Sequence, residues 1–195
     1  MHSRYSVSYV SAILACVSYL AFTTLAYIRY PSPYSPGANW LSDLGNETVN
    51  VLGARFYNAG VIATASFLLV WFLGLSEWRV QGPSLQKWFL LVATMAGTVG
   101  VLGLIMSAVY PISMYQQHSF WSHVHFMALA MGFGFSVAAL RYYPRFPRPL
   151  LYLGTFAAVL PLFGLAFGSV YWLEWVSVGM FLAYVLSVGF SLRES

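Results

Sequence analysis

Six long apolar runs constrain this chain more than any other feature: residues 7–29, 54–76, 87–109, 120–140, 149–169 and 171–191. Each is close to the 20 or so residues that a helix needs to cross the hydrocarbon of a bilayer. Water is absent there, so every peptide group must find its partner within its own segment, which a helix provides. No run alternates polar and apolar residues as a membrane barrel strand does. Only 7% of the 195 residues are charged, against about 25% in a soluble domain. The expectation is therefore all-α: an integral membrane bundle of six transmembrane helices, one domain over residues 1–195, with a short interfacial segment after helix 1. The first run is longer than a secretory leader core and lacks a small-residue cleavage site, so it reads as a retained helix. The last two runs meet around "VYWLEW" and read as a tight hairpin.

Basic residues set the expected orientation. The N-terminus, the 77–86 and 141–148 loops and the C-terminus share one side of a six-helix bundle. That side carries Arg4, Arg79, Lys87, Arg141, Arg145, Arg148 and Arg193; Arg29 and Arg55 are on the other. The positive-inside rule then makes both termini cytoplasmic in a multi-pass protein of the cell membrane. Segments 30–53, 110–119 and 170–175 face outward. Basic residues scattered over helix ends are not a nucleic-acid surface. Cys16 is the single cysteine, which excludes an intrachain disulfide and a cysteine metal cluster. Gly97, Gly100 and Gly103 in helix 3, and Gly164 and Gly168 in helix 5, mark faces where helices approach closely. Pro161 is expected to kink helix 5.

Three of the five acids, Asp43, Glu47 and Glu174, and three of the four histidines, His118, His123 and His125, gather on the outer side. In "ANWLSDLGNE" (38–47), Asn39 is placed to cap a short helix that Gly45 ends. Trp40, Leu41 and Leu44 fall on one side of it, so the segment should lie in the interface, apolar side down. Asp43 would then pair with Arg29 or Arg55, or serve a ligand. Asn58, three residues after Arg55, shares a helical face with it. Three readings follow. In the first, a site at headgroup level binds or hydrolyses a lipid or small polar ligand. Asp43, His118 and His123 are its candidate catalytic groups, and Ser42, Glu47, Arg55 and Asn58 its candidate ligand-binding groups. His118, His123, His125 and Asp43 are the candidate metal ligands. Zinc is not favoured, because His118 and His125 are two turns apart on one face while His123 points away. In the second, the chain is a non-catalytic accessory subunit of a larger membrane complex. The third, a transporter, lacks an ionisable group at mid-membrane, where only Thr64, Thr94 and Ser136 stand.

"NWLSDLG", "RFYNAGVIATAS" opening the second helix, and "GLIMSAVYP" followed by "HSFWSHVHFMALAMGF" appear in this order. Together they resemble the prokaryotic membrane family catalogued as domain of unknown function 998. The resemblance spans nearly the whole chain and centres on Ser42–Asp43–Leu44–Gly45, Asn58 and the segment His118 to His123. It implies a small multi-helix membrane protein and brings no activity with it. The set Ser42, Asp43, His118, His123 and His125 is more distantly similar to the membrane hydrolases that include alkaline ceramidases, which hold zinc. This chain departs from them in having six apolar segments, no histidine pair four apart in a late helix, and its serine in a loop.

Overall fold

A computed structural model describes residues 6–80, 83–144, 146–167 and 170–191. Arg4, Arg145, Gly168 and Arg193, used above for orientation and packing, lie outside the described residues. The helices are α1 (Val7–Tyr27), α2 (Ala54–Gly74), α3 (Ser84–Val109), α4 (Tyr115–Leu140), α5 (Arg148–Phe167) and α6 (Tyr171–Ser191). Short 3-10 helices occupy Leu41–Gly45 and Leu75–Trp78. The described residues form no strand. Among them, α1, α2 with its 3-10 extension, α3, α4 and α6 are long and apolar enough to cross a membrane, while α5 carries a shorter apolar stretch, Arg148–Gly164.

Helix starts follow local chemistry. The Ser6 hydroxyl accepts the Tyr9 N–H at 3.1 Å and caps α1. The Glu77 carboxylate accepts the Val7 and Ser8 amides at 3.0 and 3.2 Å, which ties the end of α2 to the start of α1. The fourth helix begins at Tyr115, five residues before the apolar run. Its polar first turn needs no hydrocarbon to be helical, so His118 is a helical residue.

The six helices pack in chain order as a ring, α1 against α2, α2 against α3 and so on, with α6 closing on α1. Aromatic side chains fill the centre. Trp71, Phe72, Phe133 and Tyr184 are fully buried. The Phe133 ring meets those of Phe72 and Tyr184, both at 5.5 Å between centroids. The Tyr184 hydroxyl satisfies its polarity at 2.8 Å from Ser136 Oγ. The glycines of α3 do what their spacing predicts. A Cβ on Gly100 would stand 2.8 Å from the Leu129 nitrogen, and one on Gly103 2.9 Å from the His125 nitrogen. Both contacts are with the α4 backbone, so only glycine lets the two helices come this close.

Candidate functional site

The segment between α1 and α2 folds onto the end of the ring. The Tyr34 hydroxyl donates to the Trp40 carbonyl at 2.7 Å. Asn39 does not cap the short helix: its Oδ1 accepts the Ser35 amide at 3.0 Å and so shapes the loop before it. Trp40 holds the cap position instead. The Trp40 amide donates to Asp43 Oδ2 at 2.9 Å, and the Asp43 amide returns a bond to the Trp40 carbonyl at 3.1 Å. The apolar side of this helix faces protein rather than lipid. Leu41 and Leu44 are buried in a cluster with Ala26, Tyr57, Val61 and Ala108.

The rest of Ser-Asp-Leu-Gly is explained by contacts. Asn58 Nδ2 donates to the Gly45 carbonyl at 3.2 Å. A Cβ on Gly45 would overlap Asn58 Oδ1 and stand 2.8 Å from Tyr57 Cδ1, so the approach to α2 requires glycine. Asn50, which sequence reading passed over, is fully buried and donates to the Ala26 and Leu44 carbonyls at 3.2 and 2.8 Å. A lone asparagine beside apolar residues was the signal for it.

Asp43 does not pair with either arginine. The Arg29 guanidinium lies 4.6 Å from the centre of the Phe56 ring and donates to the Leu25 carbonyl at 2.9 Å; that of Arg55 lies 5.2 Å from the same ring. Burial raises the Asp43 carboxyl above its ordinary pKa, and the Trp40 amide and the nearby His118 ring oppose this in part. Glu47 is exposed.

The acid that reaches inward is Glu174, in the first turn of α6. Its Oε2 accepts the Leu41 amide at 2.8 Å, the Ser42 amide at 3.4 Å and the Ser42 hydroxyl at 3.5 Å. The neighbouring Trp175 Nε1 donates to the Asn39 carbonyl at 3.1 Å. The start of α6 thus clamps the start of the short helix. In the sequence Glu174 is one of the outer acids, with nothing local to assign it a role. Its partners lie more than 130 positions away, and no local spacing reveals them.

Nδ1 of His118 is 2.9 Å from both the Ser107 and Tyr110 carbonyls. Carbonyls only accept, so Nδ1 carries the hydrogen and shares it between them. In its neutral form the ring has its lone pair at Nε2. His123 is exposed, with Nδ1 2.6 Å from the Ser119 carbonyl. His125 is buried, and its Nδ1 meets no partner at hydrogen-bond geometry. Among the described residues no group of three or more His, Cys, Asp or Glu side chains converges so as to hold a metal ion. The three histidines are spread along α4 and do not meet Asp43 around a common point.

Two adjoining cavities result. The outer one has a volume of about 190 Å³ and lies between the short helix, α4, α5 and α6. Its polar wall comprises Ser42, His118, Ser119, Ser122, His123, Glu174 and Ser177; Trp40, Tyr115 and Phe126 supply aromatic surface, and Pro161 and Gly164 the α5 side. The inner one, about 60 Å³, reaches Asn58, Thr64 and His125. Ser42, His118, Ser122, Phe126 and Glu174 line both. Of the expected site residues, Ser42, His118 and His123 therefore stand on the outer cavity, and Asn58 and His125 on the inner one. Asp43, Glu47 and Arg55 are not among the lining residues of either. Asp43 acts one step back, by holding the short helix that presents Ser42.

No curated protein and no solved structure matches the chain. One family model does, over residues 13–191, which takes in α2 to α6, most of α1 and both cavities. The chain belongs to the family described as Protein of unknown function (DUF998).

Proposed function

We propose that this membrane-helical protein binds the polar head of an amphiphile in the outer cavity. The observation that carries the reading is the wall itself. A carboxylate, a histidine of defined tautomer and several hydroxyls converge on one space among helices that are otherwise apolar. Drug-sized ligand pockets run from about 300 Å³ upward. A cavity of about 190 Å³ holds a headgroup and leaves the chain outside. The α5 residues Pro161 and Gly164 form the side along which that chain would leave for the bilayer. Binding suits the geometry better than a serine–histidine hydrolase. The Ser42 hydroxyl donates toward Glu174, at 3.5 Å, and not toward a histidine.

Native mass spectrometry of the intact protein, released from detergent, tests this. A one-to-one amphiphile adduct is expected, and Ser119→Phe, which fills the cavity, is expected to abolish it. An adduct that survives Ser119→Phe, or no adduct with the wild type, would sink the reading.

In this proposal α5 is the sixth crossing, both termini are cytoplasmic and the cavity opens at the outer face of the cell membrane. The excess of basic residues at the opposite end supports it. The exposed Glu47 offers a test. In a Cys16→Ala background, Glu47→Cys is expected to react with an impermeant thiol reagent on intact cells. Reaction only after the membrane is broken would invert the topology.

A further inference from the structure

The charges around the outer cavity are one-sided, and this points to the class of headgroup. Among the described residues no lysine or arginine lines either cavity. The two arginines of this end, Arg29 and Arg55, stack on Phe56. Glu174 uses Oε2 for its three bonds to Leu41 and Ser42, while Oε1 accepts nothing from the described residues. His118 spends its Nδ1 hydrogen on two carbonyls, which leaves Nε2, a lone pair on the neutral ring, to meet a ligand. Asp43, the next acid, is occupied with the Trp40 amide. The strongest group on the wall with capacity left is thus an acceptor, Glu174 Oε1, and no lysine or arginine among the described residues stands opposite it.

A carboxyl group in such a place resolves its charge in one of two ways, by taking a proton or by meeting a cation. Phosphate or carboxylate heads would set like charge against Glu174 with no basic side chain to offset it. A neutral polyol would satisfy the acceptors but leave the charge unbalanced. An alkylammonium head does both. Its N–H groups match Oε1 and Nε2, and its charge suits the faces of Trp40 and Tyr115 on the same wall. We infer that the outer cavity selects an amphiphile with a primary amine head, held by Glu174 and His118. This rests on the binding reading above and narrows it.

Three single-chain amphiphiles of equal length would be compared on the intact protein in phosphatidylcholine nanodiscs: a primary amine, a glycerol monoester and a monophosphate. Each would compete with a photoactivatable long-chain amine whose crosslinks are mapped by peptide mass spectrometry. The amine is expected to compete at about tenfold lower concentration than the other two, as a charge-assisted bond warrants. Glu174→Gln is expected to erase most of that preference. If Glu174→Gln does not fold, Trp40→Leu with Tyr115→Leu serves instead, with an expected loss of about threefold in amine affinity. Equal competition by the glycerol ester, or better competition by the phosphate, would overturn the amine inference and leave the binding reading standing. If none of the three competes and no crosslink maps to the cavity wall, both fall.

Discussion

Glu174→Ala is expected to loosen the segment that roofs the cavity and to lower the stability of the whole bundle. Two backbone amides, those of Leu41 and Ser42, lose their acceptor at once. A buried donor left unsatisfied costs about 1–3 kcal/mol. Water in the outer cavity can recover part of this, so a loss of about 3 kcal/mol is expected for the pair. For a chain of this length that corresponds to a fall in Tm of roughly 10 °C. Thermal unfolding in detergent followed by tryptophan fluorescence measures it, and limited proteolysis reads the 30–53 segment directly. Glu174→Gln keeps an acceptor oxygen and should lose less. Glu47→Ala, at an exposed position in the same region, should lose nothing measurable. A Glu174→Ala protein as stable and as protease-resistant as the wild type would show that the clamp from α6 contributes little.

Gly103→Leu is expected to have an effect of similar size for a different reason. The first side-chain carbon would already stand 2.9 Å from the His125 nitrogen and 3.1 Å from its Cα. A flexible side chain could turn aside, but the backbone of α4 cannot. Overpacking a tight contact costs about 1–3 kcal/mol, and here the upper part of that range applies because three further carbons follow. The separation of α3 from α4 would also pull apart the two carbonyls of the α3 end, Ser107 and Tyr110, from His118 Nδ1. Two readouts should therefore move together: Tm falls, and binding in the cavity weakens. Gly103→Ala should show the same direction with a smaller size. Full stability in Gly103→Leu would mean that α3 and α4 separate without cost, and the close approach would lose its significance.

The site was legible only in pieces. "WLSDLG" stood out because polar residues are scarce in this chain, and the structure gives each of its members a task. Asp43 is bonded to Trp40, Leu41 and Leu44 are buried, and Gly45 admits Asn58. The spacing of His118 and His125 correctly placed them on one wall, that of the inner cavity, with His123 apart from it. What could not be read was which acid faces the space. Of the outer carboxylates the sequence favoured Asp43, because it stands in the Ser-Asp-Leu-Gly stretch, over Glu174. The difference arises because the Asp43 side chain is short enough to turn back on the Trp40 amide, whereas α6 aims Glu174 across to the short helix. The expected pairing of Asp43 with Arg29 or Arg55 failed for a related reason. A guanidinium beside an accessible aromatic ring and a free helix-end carbonyl has good partners of its own.

By itself the sequence determined the helical class, a glycine face on α3 where another helix approaches closely, and the end of the molecule where acids and histidines collect; that α4 is the helix on that face came from the structure. Those follow from local rules: hydrocarbon forbids unpaired peptide groups, and only glycine removes the side chain that keeps helices apart. The tertiary structure alone decided that the short helix packs inward, that Glu174 reaches it from the far end of the chain, and that the space between them is a cavity. Closure of the ring, α6 against α1, brings residues 41 and 174 together, and a contact across 133 positions leaves no mark in the spacing of either segment.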